Sequence, residues 1–412
     1  MKFHRLKYCK ICKSKKIIEI FSLNKTPLED SFSEKINKKF NKLYPLDVFL
    51  CMNCNYVFLS HFLSQKESYK YYLYISEITL GLKKHFDEYA AYIVKKYHIS
   101  KNSFCLDICS NDGSFIRALK KNGMKVLGVE PSKKISYLAN KKKLNTINDF
   151  FNKKTVNLVK KKYGKPNLIT LNYVFANMTH PVSTLELIKS LLDKNGILVI
   201  ETGYHPIQMG VNNMFDYIYH EHYSYFSVHN LNYLFSNNGF ELISVKNSKP
   251  KGGSIIVVAQ LKDGKRKIEK SVNSFINFEK NIGSNKIKFY KNFISKINVI
   301  KNNFMKLIKK EFSNKKKIVG FGASHSTTVL LHYFNLGKYI SYLVDDNKIK
   351  HGLYSPGYNL RVYDTKRILY DKPDIILLLA WQHQKTILKK YKFYLKSKIK
   401  FIIPLPKIKI IN

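Results

Sequence analysis

The sequence predicts an α/β protein: a Rossmann-like domain, a second Rossmann-like domain after it, and a small zinc-ribbon-like unit in front. Three features carry that expectation. Apolar strand-like runs alternate with helix-patterned stretches, two strand-turn-helix corners are followed by a second strand that closes on an acid, and four early cysteines form two C-x-x-C pairs.

The strand-like runs are SFCLDIC (103–109), KVLGVE (125–130), NLITLNYVF (167–175) and GILVIE (196–201), then FELISV and GSIIVVAQ near 240–260. Helical patterns such as FIRALKKNG and VSTLELIKSLLDKNG separate the first four, which predicts a parallel sheet with helices on both faces. Ahead of them, YISEITLGLKKHFDEYAAYIVKKY has apolar residues three and four apart and reads as helical. A Lys-rich, mostly helical stretch then leads to KIVGFGAS, ISYLVDD and PDIILLLAW, a second α/β pattern. The expected units are 1–66 (zinc-binding), 67–262 (first α/β domain), 263–312 (helical connector) and 313–412 (second α/β domain). The front segment, to about Phe62, shows little hydrophobic periodicity, so a metal is expected to supply much of its folding free energy.

At 412 residues the chain is too long for one hydrophobic core to keep growing. Its 72 basic and 28 acidic residues give a net charge of +44, which invites a nucleic-acid reading. Only five of the basic residues are arginine, and the lysines are spread along the chain, so a solvated lysine surface is the better expectation. Such a surface still favours an anionic substrate. The longest apolar runs, such as Ile375 to Leu379, are far too short to cross a bilayer, and the chain opens on a basic cysteine motif instead of a signal peptide. A cytoplasmic location without membrane contact is expected.

Cys9, Cys12, Cys51 and Cys54 have zinc-ribbon spacing. Two knuckles of two thiolates each close a tetrahedron with no open position, which is a structural metal site, and a reducing cytoplasm disfavours disulfides.

In CLDICSNDGSFIRALKKNGMKVLGVEP, a strand ending near Asp107 enters the turn Ser110-Asn111-Asp112-Gly113 and then a helix. About twenty residues on, Glu130 closes the next strand, where an acid can accept hydrogen bonds from ribose hydroxyls. The turn is not G-x-G-x-x-G, and a pyrophosphate is repelled by Asp107 and Asp112. A sulfonium is not, which favours S-adenosylmethionine over a dinucleotide. In the C-terminal half, Gly320, Gly322 and Ser324 of GFGASHSTT could meet an anion at a helix N-terminus, and Asp345 and Asp346 repeat the ribose logic. No P-loop is present.

The segment FDYIYHEHYSYFS (215–227) crowds two histidines, a glutamate and four tyrosines. His220 and His222, two apart, project to one side of an extended chain and Glu221 to the other, and H-E-x-x-H is absent, so a catalytic metal is not expected there.

Taken in order, the paired C-x-x-C motifs, DICSNDGSF, GVEPS, IYHEHYSYFS, KGGSIIVV, GFGAS, VDDN, SPGY and LLLAW resemble the three-domain sugar C-methyltransferase family over nearly the whole chain. The resemblance implies a zinc-binding domain, a class I methyltransferase domain using S-adenosylmethionine, and a C-terminal α/β domain that helps hold a nucleotide-linked ketosugar. It implies His222 as the base, with Tyr219 and Glu221 orienting it or stabilising an enolate, and a hydrogen-bonding role for His220. Asn177 is implied to face the substrate, with His180 as its rival, and one of Tyr72 and Tyr74 to cover the site. It adds Pro131 and Asn172 to the methyl-donor site, and Ala323, Lys251 and Trp381 to the substrate side. Three positions depart from the family pattern: Cys109 for a glycine, Lys251 for a frequent histidine, and Gln382 for an asparagine.

The expected reaction is methyl transfer to the carbon beside the ketone of a nucleotide-linked 4-keto deoxysugar, through an enolate raised by a base. Transfer to a sugar oxygen or nitrogen is the alternative, and a zinc-ribbon nucleic-acid-binding protein is the alternative of another class. A monomer or weak oligomer is expected.

Overall fold

The computed structural model describes residues 4–36, 41–62, 74–79, 81–395 and 399–411. Tyr72 lies outside them.

The front unit contains β1 (His4–Arg5), β2 (Ile17–Thr26), β3 (Tyr44–Cys51), β4 (Val57–Leu59) and β5 (His61–Phe62). The central unit contributes β6 (Phe104–Ile108), β7 (Lys125–Val129), β8 (Thr146–Ile147), β9 (Leu168–Asn172) and β10 (Ile197–Gly203), then β11 (Ser224–Tyr225), β12 (Phe240–Ser248) and β13 (Ser254–Leu261). The last unit holds β14 (Ile318–Phe321), β15 (Leu343–Asp345), β16 (Val362–Asp364), β17 (Ile375–Leu378), β18 (Lys400–Ile403) and β19 (Lys409–Ile411).

The central sheet runs β12-β13-β10-β9-β6-β7-β8. Strands β6 to β10 are parallel and buried on both faces, which is why LITL and ILVIE read as unbroken apolar runs. The all-parallel expectation fails at one edge, where β13 lies antiparallel to both β10 and β12. The reason is on the page of the sequence: only Lys249 to Gly253 join β12 to β13, too few residues for the crossover a parallel pair needs. The C-terminal sheet, β16-β15-β14-β17-β18-β19, is parallel except for β19.

The helical reading of 74–97 is shortened. The α-helix spans Leu82–Lys96 and is preceded by Gly81 at φ 78°, and Ser76–Ile78 form a separate 3-10 turn. A left-handed residue cannot sit inside a right-handed helix, so the break falls there. The connector forms the helices Lys270–Ile282 and Ile287–Ser313. In the second, Tyr290, Phe293, Ile297, Phe304 and Ile308 bury one stripe and leave the lysines outside.

The front unit, whose sequence shows little hydrophobic periodicity, is a well-packed antiparallel sheet ordered β11-β4-β3-β2. Alternate residues serve different cores. Leu46, Val48, Leu50, Val57 and Leu59 pack with the C-terminal unit, while Phe49, Cys51, Tyr56 and Phe58 pack with the central one. Residues 48–51 and 57–59 are buried on both faces of the sheet and so show no apolar-polar alternation, which hid these strands from the sequence reading.

Its edge strand β11 comes from the central unit and belongs to the segment 215–227. Ser224 and Tyr225 pair with Phe58 and Val57, and Tyr223 O accepts from Leu59 N at 3.0 Å. At the start of the same segment, Asp216 Oδ2 accepts from Trp381 Nε1 (2.8 Å) and Gln382 Nε2 (2.7 Å) of the C-terminal unit. Asp216 is fully buried, and that burial pushes its carboxyl up to about 7 against the two hydrogen bonds.

Asp216→Ala should therefore strand two donors and cost about 2 to 4 kcal/mol in urea unfolding, while Asp216→Asn, which keeps one accepting oxygen, should cost about 1 kcal/mol or less. The raised carboxyl contributes stability that is complete below about pH 4 and is lost as pH rises through about 7. The Asn variant should lack that component when unfolding is followed from pH 4 to 8.

Candidate active site

At the carboxyl ends of the central strands, Asp107 is buried and its Oδ1 accepts from Thr170 Oγ1 (2.6 Å) and Asn172 Nδ2 (3.1 Å). Glu130 Oε2 accepts from Asn111 N (3.0 Å) and Oε1 from Ser132 N (2.8 Å). Burial lifts both carboxyls to about 7. Pro131 follows Glu130 directly, and its carbonyl and that of Glu130 accept from Asn148 Nδ2.

The turn itself is tight. Cys109, Asn111 and Gly113 have φ of 55°, 50° and 80°. Cys109 thus stands in a conformation that glycine adopts freely and other residues adopt at a cost, so the departure at this position concerns the backbone. Asp112 does not lie open to a ligand as the sign-of-charge argument pictured it. Its Oδ1 accepts from Ser114 N and Oγ, its Oδ2 from Glu77 N, and Lys142 Nζ lies 3.7 Å away. Asn111 likewise holds Ser76 N and the Tyr74 carbonyl, so the segment 74–79 covers the turn. Ser110 Oγ and Asn172 Oδ1 are buried without a protein partner among the described residues, which suits a polar ligand at these strand ends.

Within the segment 215–227, His222 Nδ1 lies 3.1 Å from the Tyr217 carbonyl and Nε2 lies 2.7 Å from Tyr219 Oη. A carbonyl can only accept, so Nδ1 carries the proton, and the Nε2 lone pair receives the tyrosine hydroxyl. Burial, helped by the nearby Lys251 ammonium, depresses His222 to about 3, which leaves it neutral at ordinary pH. The orienting role expected of Glu221 is filled by the Tyr217 carbonyl. Glu221 turns to the C-terminal unit, with Oε2 3.4 Å from His325 Nε2. His220 is buried, pairs with Glu29 at 2.8 Å, and faces the Pro45 carbonyl at 3.2 Å, so it fastens the segment to the front unit.

Lys251 sits at φ 54° with its ammonium 4.2 Å from the Tyr173 ring centre and 4.9 Å from that of Tyr74. Asn177 ends the 3-10 turn Phe175–Asn177 with Oδ1 buried and without a partner among the described residues, whereas His180 is exposed.

On the C-terminal side, Gly322 is required by packing: it has φ 116°, and a Cβ there would lie 2.8 Å from Ala380 Cβ. Ala323 N donates to Asp345 Oδ2 (2.6 Å), and Asp345 Oδ1 accepts from Asn347 N (2.7 Å). Ser324 caps the helix His325–Tyr333. Trp381 is almost fully buried with its N–H held by Asp216, which makes it a strut between units and removes that N–H from any ligand. Residues that the sequence reading did not weigh also come together here: Asp30, His325 and Lys350. His325 stood inside a quoted motif, but its partners lie in two other units.

The four cysteine sulfurs lie within 4.8 Å of one another, with Cys9 to Cys54 at 3.6 Å and Cys12 to Cys51 at 3.5 Å. Thiolates about 2.3 Å from a tetrahedral zinc are that far apart, so the set fits a closed structural zinc site. Asn230 Nδ2 donates to the Cys54 carbonyl at 3.2 Å and ties the knuckle to the central unit.

Sheet order and strand-end residues together define a class I methyltransferase that uses S-adenosylmethionine. Three family models match in succession: "Putative zinc binding domain" over residues 9–69, "Methyltransferase domain" over 83–245 and "C-methyltransferase C-terminal domain" over 249–406. The chain therefore carries these three domains in that order, which together span nearly its whole length. It is 25% identical over 406 residues to the C-methyltransferase NovU of Streptomyces niveus, covering 98% of this chain and 96% of that protein. Among solved structures, it is similar over 44% of its length to magnesium protoporphyrin IX methyltransferase from Synechocystis with bound SAM (16% identity, 80% of that chain, TM-score 0.33). A similar likeness is found to an S-adenosylmethionine-dependent methyltransferase from Clostridium acetobutylicum (12% identity, 44% of this chain, 92% of that chain, TM-score 0.35). No helix among the described residues is long and apolar enough to cross a membrane.

Because β4 pairs with β11 beside His222, loss of zinc should reach His222 and Tyr219. Chelation, or Cys12→Ser, is expected to lower turnover far more than affinity for S-adenosylmethionine, read by calorimetry alongside metal content. At Cys109, φ 55° makes Gly the tolerated replacement and Val the damaging one. Cofactor affinity within about threefold for Cys109→Gly, and weakened about tenfold or more for Cys109→Val, is the expected pattern, at about 1 to 2 kcal/mol of left-handed strain.

Proposed function

We propose that the protein transfers the methyl group of S-adenosylmethionine to the carbon beside the ketone of a nucleotide-linked 4-keto deoxysugar. The observation that carries this reading is the Tyr219–His222 couple, a neutral imidazole with its lone pair on a tyrosine hydroxyl. An oxygen or nitrogen acceptor has its own lone pair and needs no strong base; a carbon acceptor needs its proton removed first. The relative's name, a C-methyltransferase, supports carbon.

When bound, S-adenosylmethionine supplies an electrophilic methyl group. On this reading, Asp107, Ser110, Asn111, Asp112, Gly113, Glu130, Pro131 and Asn172 form its site. Asp112 and Asn111 act mainly by shaping the turn. Glu130 has one free lone pair on each carboxylate oxygen after its two N–H bonds, enough for two ribose hydroxyls. The His222–Tyr219 couple removes the proton acidified by the ketone, and the cations of Lys251 and His325 nearby favour the enolate oxygen. Tyr74 and Asn177 face the acceptor, and Gly322, Ala323, Ser324 and Asp345 shape the loop that receives the nucleotide. Trp381 serves that side indirectly, through Asp216.

His222→Asn is expected to bind S-adenosylmethionine with unchanged affinity and to lose turnover by about 10² to 10⁴. It should also lose the exchange of the sugar's α-proton with deuterated solvent in the absence of cofactor. Turnover close to that of the unaltered enzyme would sink the assignment. Since His222 is held near 3, it stays a free base as pH falls through 6.5, so kcat/KM should show no acid limb from this residue near the usual histidine value.

A further inference from the structure

A row of alternating charge crosses all three units next to the proposed base. Lys350 Nζ of the C-terminal unit donates to Asp30 Oδ1 of the front unit at 2.7 Å and to the Ala323 carbonyl at 2.8 Å. Asp30 Oδ2 lies 3.9 Å from His325 Nε2, and Glu221 Oε2 of the central unit lies 3.4 Å from the same nitrogen. The His325 ring in turn lies 5.1 Å, centre to centre, from the Tyr219 ring. His325 is largely buried, Asp30 and Lys350 more deeply still, so these charges are poorly screened.

We propose that His325 is a positioning residue of the Tyr219–His222 couple: its imidazolium, held between Glu221 and Asp30, stabilises negative charge on the Tyr219 oxygen as that hydroxyl passes its proton to His222. The inference rests on the carbon-methylation reading. The Tyr219 O–H bond breaks as an N–H bond forms on His222 Nε2. The phenolate takes the α-proton of the ketosugar, and the C–H electron pair becomes the enolate. The enolate carbon takes the methyl group, the carbon-sulfur pair returns to sulfur as a thioether, and His222 releases its extra proton to solvent. Each proton and electron pair is accounted for.

The charge state of His325 agrees with this role. Burial alone would lower its pKa, but Asp30 and then Glu221 outweigh burial and the opposing Lys350, lifting it to about 9. The cation is therefore complete at neutral pH and lost above about 9. The groups facing it are Asp30, Glu221, Lys350 and Tyr219, with His222 and Lys251 beyond the tyrosine.

The test uses the full-length enzyme with a 4-keto sugar nucleotide. His325→Gln should lower kcat and the cofactor-free exchange of the α-proton together, by about 10²-fold, while leaving affinity for S-adenosylmethionine within about threefold. His325→Lys, which keeps a cation, should recover at least about tenfold of that loss. Glu221→Gln should move the alkaline limb of kcat to lower pH, because it removes one of the carboxylates that hold the proton on His325. Unaltered exchange in His325→Gln, or an alkaline limb that stays in place in Glu221→Gln, overturns the proposal. If His325→Gln fails to fold, the limb in Glu221→Gln decides. Absence of α-proton exchange by the unaltered enzyme on every 4-keto sugar tried overturns the carbon-methylation reading itself, which separates that failure from one confined to His325.

Discussion

The site depends on one short segment, Phe215–Ser227, being held from three sides. It has little regular structure of its own, a 3-10 turn and a two-residue strand, so its backbone and side-chain polar groups must find partners elsewhere. Asp216 fixes it to the C-terminal unit, His220 to Glu29 of the front unit, and β11 to β4 of the zinc-supported sheet. Between those anchors lie Tyr219, Glu221 and His222. A buried pair such as His220 and Glu29 contributes little net stability against an apolar replacement, because both groups give up water. Its effect here is on register, since a shift of one residue along the segment would break all three anchors.

The two α/β units use one device at the same topological position. In the central unit the acid closing the second strand, Glu130, accepts one N–H from the first loop (Asn111) and one from the residue two places on (Ser132). In the C-terminal unit Asp345 does the same with Ala323 and Asn347. The acid therefore ties two adjacent strand-end loops together before any ligand arrives. An acid at that position predicts the corner's geometry well and the ligand's identity less well, because part of its reason for being there is internal.

Much of the architecture was legible because apolar strand-like runs alternating with helical patterns mark an α/β sheet covered on both faces. The four cysteines were legible because a closed metal set has fixed spacing, and the motif order carried Tyr219 and His222. What stayed hidden depended on contacts between distant stretches of chain. The centre of the front sheet, residues 48–51 and 57–59, is buried on both faces and so lacks alternation, Gly81 interrupts a pattern that periodicity alone runs through, and the partners of Asp216, Glu221 and His325 lie in other units. Glu221 was expected to orient His222 because the family resemblance implies it, but residues 219–222 form a turn closed by His222 N donating to Tyr219 O (2.9 Å), Glu221 is directed to His325, and a backbone carbonyl does the orienting instead.

The proposed chemistry also accounts for why a base should be depressed so far. A cation near an imidazole lowers its basicity, and burial lowers it further, which taken alone argues against His222 as a base. The same cations stabilise any anion formed beside them, and in the proposed reaction the acceptor is an enolate and its nucleotide is anionic. Lys251 and His325 then disfavour an imidazolium at rest and favour the oxyanion once formed, so the site is tuned to the product of proton removal and not to the resting base. On the proposed chemistry Tyr219 stands in the same cationic field, where negative charge on its oxygen is favoured as its proton passes to His222, and that oxyanion offsets the cost of the imidazolium beside it. On this proposal the base is complete only when the C-terminal unit is docked, since His325 arrives from there, which would give the third domain a part in the reaction beyond holding the proposed nucleotide.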